Sequence, residues 1–451
     1  MDEADPKPTD RPAPKGSGKV LAIVFLTVFL DMVGFSIIFP LFPDMLDHYV
    51  GREGSESTIG RLAAWLTDIA GDDDFAVIAL FGGILGSLYS GTQFLFAPVW
   101  GAISDRVGRR RTLLVTLAGT AASYVLWLYA GSFAVLVVAR LVGGIMAGNI
   151  SVASAAIADT HTGSARAKGM GLMGAGIGLG FVVGPALGGW AASWTSDWGT
   201  EGSGAFALNP FSGPAALALG LAILNWAAAA ARFGETRAPR RGVEVETLER
   251  RGLNPFAALR RLAFPGVHAL NVAYFVYFAA FGAMEFTLVF LAKEHLGYGP
   301  RDNALMFVFI GLTIAFVQGG VVRRLVPRLG ERKVAFAGMA ATVPGFCGIA
   351  AVTHFESAGV LYASLFLVAA GSSLVMPSLS SLASRYVPED RQGFALGVFR
   401  SFGSLARVIG PFAGGVAYYG LGSWAPYVAA GAIALVPTFV VRRLPAPPEG
   451  S

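Results

Sequence analysis

Five ionisable side chains interrupt long apolar runs in this chain: Asp31, Arg140, Glu285, Arg400 and Arg407. A charge at the centre of a bilayer costs at least about 2.5–3.5 kcal/mol on insertion scales, so each of these groups needs a partner, a wet cavity, a ligand or a proton. A carboxylate that alternates between an arginine and an apolar pocket changes its hold on a proton, which is the chemistry of loading a proton on one side and releasing it on the other. Asp31 is the favoured protonation site and Glu285 its competitor. Arg400 and Arg407 are seven residues apart, so at about 100° per residue they project within roughly 20° of each other. They form one positive stripe. Arginine stays charged and grips carboxylates with a forked donor set, so the stripe suits an anionic ligand or neutralisation by Glu285. The plainer reading of all five is a set of fixed ion pairs that pin helices together.

The elements that carry these groups are membrane helices. Hydrophobic residues make up 54% of the 451 residues and charged residues 14%, against roughly 25% charged in an ordinary soluble domain. A span needs about 20 apolar residues, and such runs lie near 20–46, 75–103, 112–130, 133–157, 168–194, 213–233, 266–292, 303–322, 334–353, 357–383, 393–419 and 423–441. The expected fold class is an all-α membrane protein with twelve transmembrane helices in two pseudo-symmetric six-helix bundles. Its expected divisions are a disordered tail over 1–19, a first bundle over 20–233, a basic cytoplasmic linker over 234–265, a second bundle over 266–443 and a tail over 444–451. The first run contains Asp31 and lacks a small-residue cleavage site, so it reads as a span and not a signal peptide. An amphipathic stretch from Ser57 to Ala70 lies in the one long outer loop.

Of the 34 Lys and Arg residues, 27 fall in the tails and on one set of loops and only four on the other. That asymmetry places both termini in the cytoplasm. The net charge of +5 is thus distributed by topology, which excludes a nucleic-acid-binding face. Cys347 is the one cysteine, so no intramolecular disulfide can form.

Two spacings repeat along the chain. Gly171, Gly180, Gly184-Pro185 and Gly188-Gly189 recur 226 residues later as Gly397, Ala406, Gly410-Pro411 and Gly414-Gly415. The tract Gly101 to Arg111 aligns with Arg323 to Lys333 at a shift of 222, Gly108 meeting Gly330. Two homologous halves in parallel orientation are a transporter signature, with the pathway between them.

The Gly101 to Arg111 tract, Arg140, the Gly-Pro-rich fifth span and Leu30-Asp31-Met32-Val33-Gly34 with Pro40 and Pro43 together resemble the major facilitator superfamily, and more narrowly its twelve-helix drug/proton antiporter branch, which includes the tetracycline exporters. Phe81 to Ser87, Met284-Glu285-Phe286-Thr287, Arg400 and Arg407 are similar to features of the animal tetracycline-transporter-like organic-anion exporters within that branch. The resemblance implies proton coupling through Asp31 and Arg140. It also implies a cytoplasmic gate built on Gly101, Asp105, Arg106, Gly108 and Arg109 that latches the outward-open state, and an antiporter bend at Gly184-Pro185. In the second copy of the gate Pro327 stands at the aspartate position, so that latch is expected to be degraded.

Gln93, Asn149, Asn271, Tyr274, Tyr277 and Gln318 are the expected substrate-binding polar residues, each equally able to serve as a helix-to-helix hydrogen bond. Gly169-x-Gly171-x-x-Gly174 follows no strand and is no dinucleotide site. No phosphate-binding loop or metal-ligand cluster occurs in the sequence, and neither a cofactor nor an enzymatic activity is expected. The reading is a proton-coupled exporter of small amphipathic, anionic compounds, a monomer in a bacterial inner membrane or equivalent cell membrane, whose partners are its substrate, protons and the bilayer. The alternatives are a broad-specificity drug or tetracycline exporter and a ligand sensor on the same scaffold.

Overall fold

A computed structural model describes residues 17–70, 74–161, 163–195, 198, 204–236, 255–298, 300–388 and 391–447. Most of the expected tails and linker, including Arg237, Arg240, Arg241, Arg250 and Arg251, lies outside the described residues. Among the described residues the chain is helical, with one isolated bridge between Ala130 and Phe206. Nine helices form a first half: α1 (Ser17–Ser36), α2 (Phe42–Glu53), α3 (Thr58–Ala70), α4 (Asp74–Val107), α5 (Arg109–Leu128), α6 (Phe133–Met146), α7 (Asn149–Thr160), α8 (Gly163–Ala192) and α9 (Ser212–Arg232). A short α10 (Pro255–Arg261) leads to the second half: α11 (Val267–Leu296), α12 (Pro300–Phe316), α13 (Arg323–Leu329), α14 (Glu331–Phe355), α15 (Ala358–Arg385), α16 (Gln392–Leu421) and α17 (Ala425–Arg442). Among the described residues, ten helical stretches are long and apolar enough to cross a membrane. In addition, α4 and α16 run for 34 and 30 residues over the second and eleventh expected spans.

Three spans differ from expectation. The first stops at Ser36, and a 3₁₀ turn at Phe39–Leu41 redirects the chain into α2. Pro40 and Pro43 remove two backbone donors there, so the helix cannot run on to residue 46. The fourth divides at Ala147-Gly148 into α6 and α7. The eighth passes through a π-helical stretch, Val317–Val322, before α13. The outer amphipathic stretch forms as α3, with Ile59 and Leu66 buried. The Gly184-Pro185 pair sits inside the continuous α8.

The glycine repeat has one packing role used twice. A Cβ on Gly184 would lie 2.7 Å from the Val33 carbonyl oxygen of α1, and one on Gly410 would lie 2.6 Å from the Ala279 carbonyl oxygen of α11. Each repeat therefore lets a Gly-Pro helix press its backbone onto the leading helix of its own half, as small residues do in lipid-embedded bundles. The turns α4–α5 and α13–α14 match as well, with Gly108 at φ 106° and Gly330 at φ 79°, values that side chains other than glycine's rarely tolerate.

Buried apolar residues gather into three main clusters. One spans both halves at the end bearing the basic loops, joining Val24, Ala155 and Met173 to Tyr274, Leu379 and Phe399. At the opposite end the core splits. One cluster there belongs to the first half (Leu46, Phe81, Trp127) and one to the second (Leu288, Phe346, Leu365). The halves are sealed together at the basic end and have separate cores at the other.

Candidate functional site

The seal is held by a charge network at the end of α4. Asp105 accepts hydrogen bonds from the backbone N–H groups of Gly393 (3.0 Å) and Phe394 (2.7 Å) in the first turn of α16. It thereby crosses between the halves and meets the positive end of a helix. Arg109, fully buried, pairs with Asp105 at 2.7 Å and with Asp159 at the end of α7 at 2.7 Å, and donates to Ser104 at 2.6 Å. Glu235 caps α5 by accepting from the N–H groups of Arg109 (2.7 Å) and Arg110 (3.2 Å). Gly101 packs against the backbone of Gly393, and Arg106 is half-buried beside Asp105 in sequence. Asp159, Ser104 and Glu235 were not anticipated from sequence. An acid closing a span on the basic side, as Asp159 does, was the available signal.

The second half carries a related pair without the crossing. Glu331 opens α14 and meets Arg385 of α15 at 2.9 Å, while Ser381 donates to it at 3.1 Å. Pro327 offers no carboxylate where Asp105 stands in the first half.

Within the first half Asp31 is buried on α1 and accepts a hydrogen bond from Asn149 Nδ2 at 2.5 Å. Arg140, on α6, is buried between two rings, its guanidinium carbon 4.9 Å from the centroid of Tyr89 and 5.8 Å from that of Phe35. Among the described residues its Nε and Nη2 have no hydrogen-bond partner. In this conformation Asp31 is held by an amide and not by Arg140, so Asn149 belongs to the acid's surroundings.

Arg400 and Arg407 both lie on the face of α16 that meets the first half. Arg400 donates to Ser154 of α7 at 3.4 Å. Arg407 donates to Gln93 Oε1 of α4 at 2.5 Å and to Ser404 at 3.2 Å. Ser404 also donates to Gln93 Oε1, at 2.7 Å, and Ser401 donates to the Phe94 carbonyl. The stripe thus borders the seam, and the two cations are close enough to repel. Ser154 and Ser404 are further residues that sequence reasoning missed; Ser404, four residues after Arg400 and three before Arg407, shares their helical face.

Glu285 opens into a narrow pocket of about 30 Å³ whose other walls, Phe281, Met284, Leu288, Phe307, Ile310 and Leu365, are apolar. Arg407 lies within its electrostatic reach. Of the remaining expected binding residues, Tyr274 stacks on Phe399 at 3.9 Å beside Arg400. Tyr277 is buried against Thr342. Asn271 donates to Val267 of its own helix at 2.8 Å. Gln318, in the π stretch, packs on Gly174 of α8. The structure therefore brings Gln93, Arg400, Arg407 and Tyr274 to one seam, leaves Asn271 in its own helix, and sets Glu285 to one side.

Comparison with known proteins gives a consistent picture. The family model "Major Facilitator Superfamily" matches residues 24–411 and, in a second match, 324–451. The chain is similar to bovine major facilitator superfamily domain-containing protein 10, with 32% identity over 98% of this chain and 96% of that protein. It is also similar to the class G tetracycline resistance protein of Vibrio anguillarum, with 32% identity over 90% and 92% of the two chains. The crystal structure of the human organic anion transporter MFSD10 (TETRAN) superposes with a TM-score of 0.82 at 31% identity, covering 96% of this chain and 100% of that one. The proton:xylose symporter XylE shares the fold, with a TM-score of 0.72 at 14% identity.

Proposed function

The chain belongs to the major facilitator superfamily and is a multi-pass membrane transporter, and we propose that it is a proton-coupled antiporter that exports small amphipathic organic anions. It works as a monomer, by alternating access between two six-helix bundles. The observation that carries the substrate class is the pair Arg400 and Arg407 on the seam face of α16. One neighbouring carboxylate, Glu285, leaves the pair with an excess positive charge for a ligand anion to complete. The relative described as an organic anion transporter supports the same class.

Asp31 is the proton carrier, set apart from the anion site on α1 and able to exchange its Asn149 contact for the unsatisfied Arg140 nearby. The basic loops support a cytoplasmic position for the sealed end and both termini, which makes this conformation outward-facing, with Asp105 as its latch. A broad drug or tetracycline exporter is the second reading. It is favoured by the tetracycline resistance relatives and by the apolar pocket around Glu285, which would seat a cationic or hydroxylated group.

Counterflow of labelled 4-aminohippurate in proteoliposomes tests the proposal. Exchange that responds to an imposed pH gradient supports it. Ligand binding without exchange would make the protein a sensor, and preference for lipophilic cations over the anion would return it to the drug-exporter reading.

A further inference from the structure

The break between α6 and α7 joins the two sites that the proposed function keeps separate. A helix end leaves carbonyl groups without their usual donors, and α4 side chains take two of them: Trp100 Nε1 donates to the Ile145 carbonyl at 2.6 Å and Gln93 Nε2 to the Ala147 carbonyl at 3.2 Å. Gly148 allows this approach, since a Cβ there would run into the Trp100 side chain at 2.5 Å. On the far side of the break, the first residue of α7 is Asn149, whose amide holds Asp31. On the near side, the same Gln93 that grips the break also accepts from Arg407 and Ser404 of the other half.

A connected series therefore runs from Asp31 through Asn149, the break and Gln93 to Arg407. The second half offers a contrast, because α15 is an uninterrupted helix despite Pro377. The interruption occurs in the half that carries the acid.

We propose that Gln93 is a positioning residue which, through the α6–α7 break, couples the protonation of Asp31 to the hold of Arg407 on the substrate anion. This rests on the proton-coupled anion reading above. An ionised Asp31 holds Asn149 by a charge-assisted hydrogen bond, roughly twice as strong as its neutral counterpart. Protonation loosens Asn149, the first turn of α7 shifts, and the Ala147 carbonyl no longer fixes the Gln93 amide. Arg407 then loses its orientation toward the anion, so a proton arriving from outside favours release of substrate, the order an exchanger needs. The titratable and charged groups around Asp31 are Tyr89 from α4 and Tyr124 from α5, with Arg140 from α6 next to both tyrosines. Those around Arg407 are Tyr89, Arg400 and Glu285.

The test is the affinity of the full-length protein for 4-aminohippurate at about pH 5.5 and about pH 8, a range over which the probe's carboxylate stays ionised. Wild-type protein should bind more tightly at the higher pH by at least about fivefold, the lower end of site-to-site coupling. In Gln93→Met and in Asn149→Leu that ratio should fall below about twofold, and the double variant should be no different from either single one, as members of one path behave. Thermal melting at both pH values identifies any variant that has unfolded, and Gln93→Asn and Asn149→Ser then stand in for it. A variant ratio equal to wild type, or additive losses in the double variant, overturns the coupling while leaving proton-coupled transport intact. A wild-type ratio near one, unchanged in Asp31→Asn, overturns both.

Discussion

Arg109 and Glu331 occupy the same place in the two halves, 222 residues apart, and carry opposite charges. Each follows the glycine that turns the chain, opens a helix, and reaches the last turn of the span that follows, which ends in α7 in the first half and is α15 in the second. There Arg109 finds Asp159 at 2.7 Å and Glu331 finds Arg385 at 2.9 Å. Asp159 and Arg385 are 226 residues apart, so the two repeat shifts found in the sequence also relate the two ion pairs, with the sign reversed. Swapping the sign keeps each pair locally neutral. It also leaves Arg109 free to hold Asp105, whereas Glu331 has no such task.

Breaking either pair should destabilise the protein, and breaking the first should cost more. Arg109→Gln removes the cation shared by two nearly buried carboxylates, Asp105 and Asp159, a loss in the range of about 3–5 kcal/mol for a buried pair with one partner removed. Arg385, one-fifth exposed, should give a smaller loss on Arg385→Gln. Thermal melting in detergent measures both, and an equal or reversed order would contradict the assigned roles.

Asp105→Asn should slow exchange more than it weakens binding. The side chain touches the first turn of α16 and no ligand site, so its loss biases the balance between conformations. Spin-label distances across the sealed end should broaden toward longer values. Unchanged distances with a loss of affinity equal to the loss of transport would remove the latch role.

Arg407→Lys should raise the Kd for 4-aminohippurate about tenfold, the effect of losing one charge-assisted hydrogen bond. Lysine keeps the charge but not the fork. Arg400→Lys should do less, because its cross-seam contact, to Ser154, is long at 3.4 Å. Alanine at both positions with affinity intact would sink the anion site.

Asp31→Asn should retain counterflow but lose the response to a pH gradient, since asparagine can still bond Asn149 and cannot carry a proton. Full gradient response in Asp31→Asn, together with its loss in Glu285→Gln, would pass the proton to Glu285 and its apolar pocket.

The span positions and the two repeats were legible because each depends on local composition, and the glycine repeat proved to mark backbone contact between α8 and α1 and between α16 and α11. The break at Ala147-Gly148 was not legible. Gly144 and Gly148 have the spacing of close-packing residues, and nothing in that spacing says that a carbonyl between them will be taken by Gln93. Contacts such as Asp105 to Gly393 or Gln93 to Arg407 join residues about 300 apart in the sequence. A linear pattern records neither the partner nor the conformation. Arg140 illustrates the limit: its type and depth were readable, while its place between two aromatic rings, unpaired with Asp31, was not.

The divided core sets a condition on the resting state. Turning the molecule around means splitting the cluster that joins the halves at the basic end and fusing the two that are separate at the other. At about 25 cal/mol per Å² of apolar surface, a mismatch of about 100 Å² between the area exposed and the area covered biases the two orientations by about 2.5 kcal/mol. Side chains such as Met339, Leu379 and Leu382, which need meet neither proton nor anion, therefore act as trim weights. A single methylene added or removed there, worth about 0.8 kcal/mol, should retune which side of the membrane the empty carrier prefers to face.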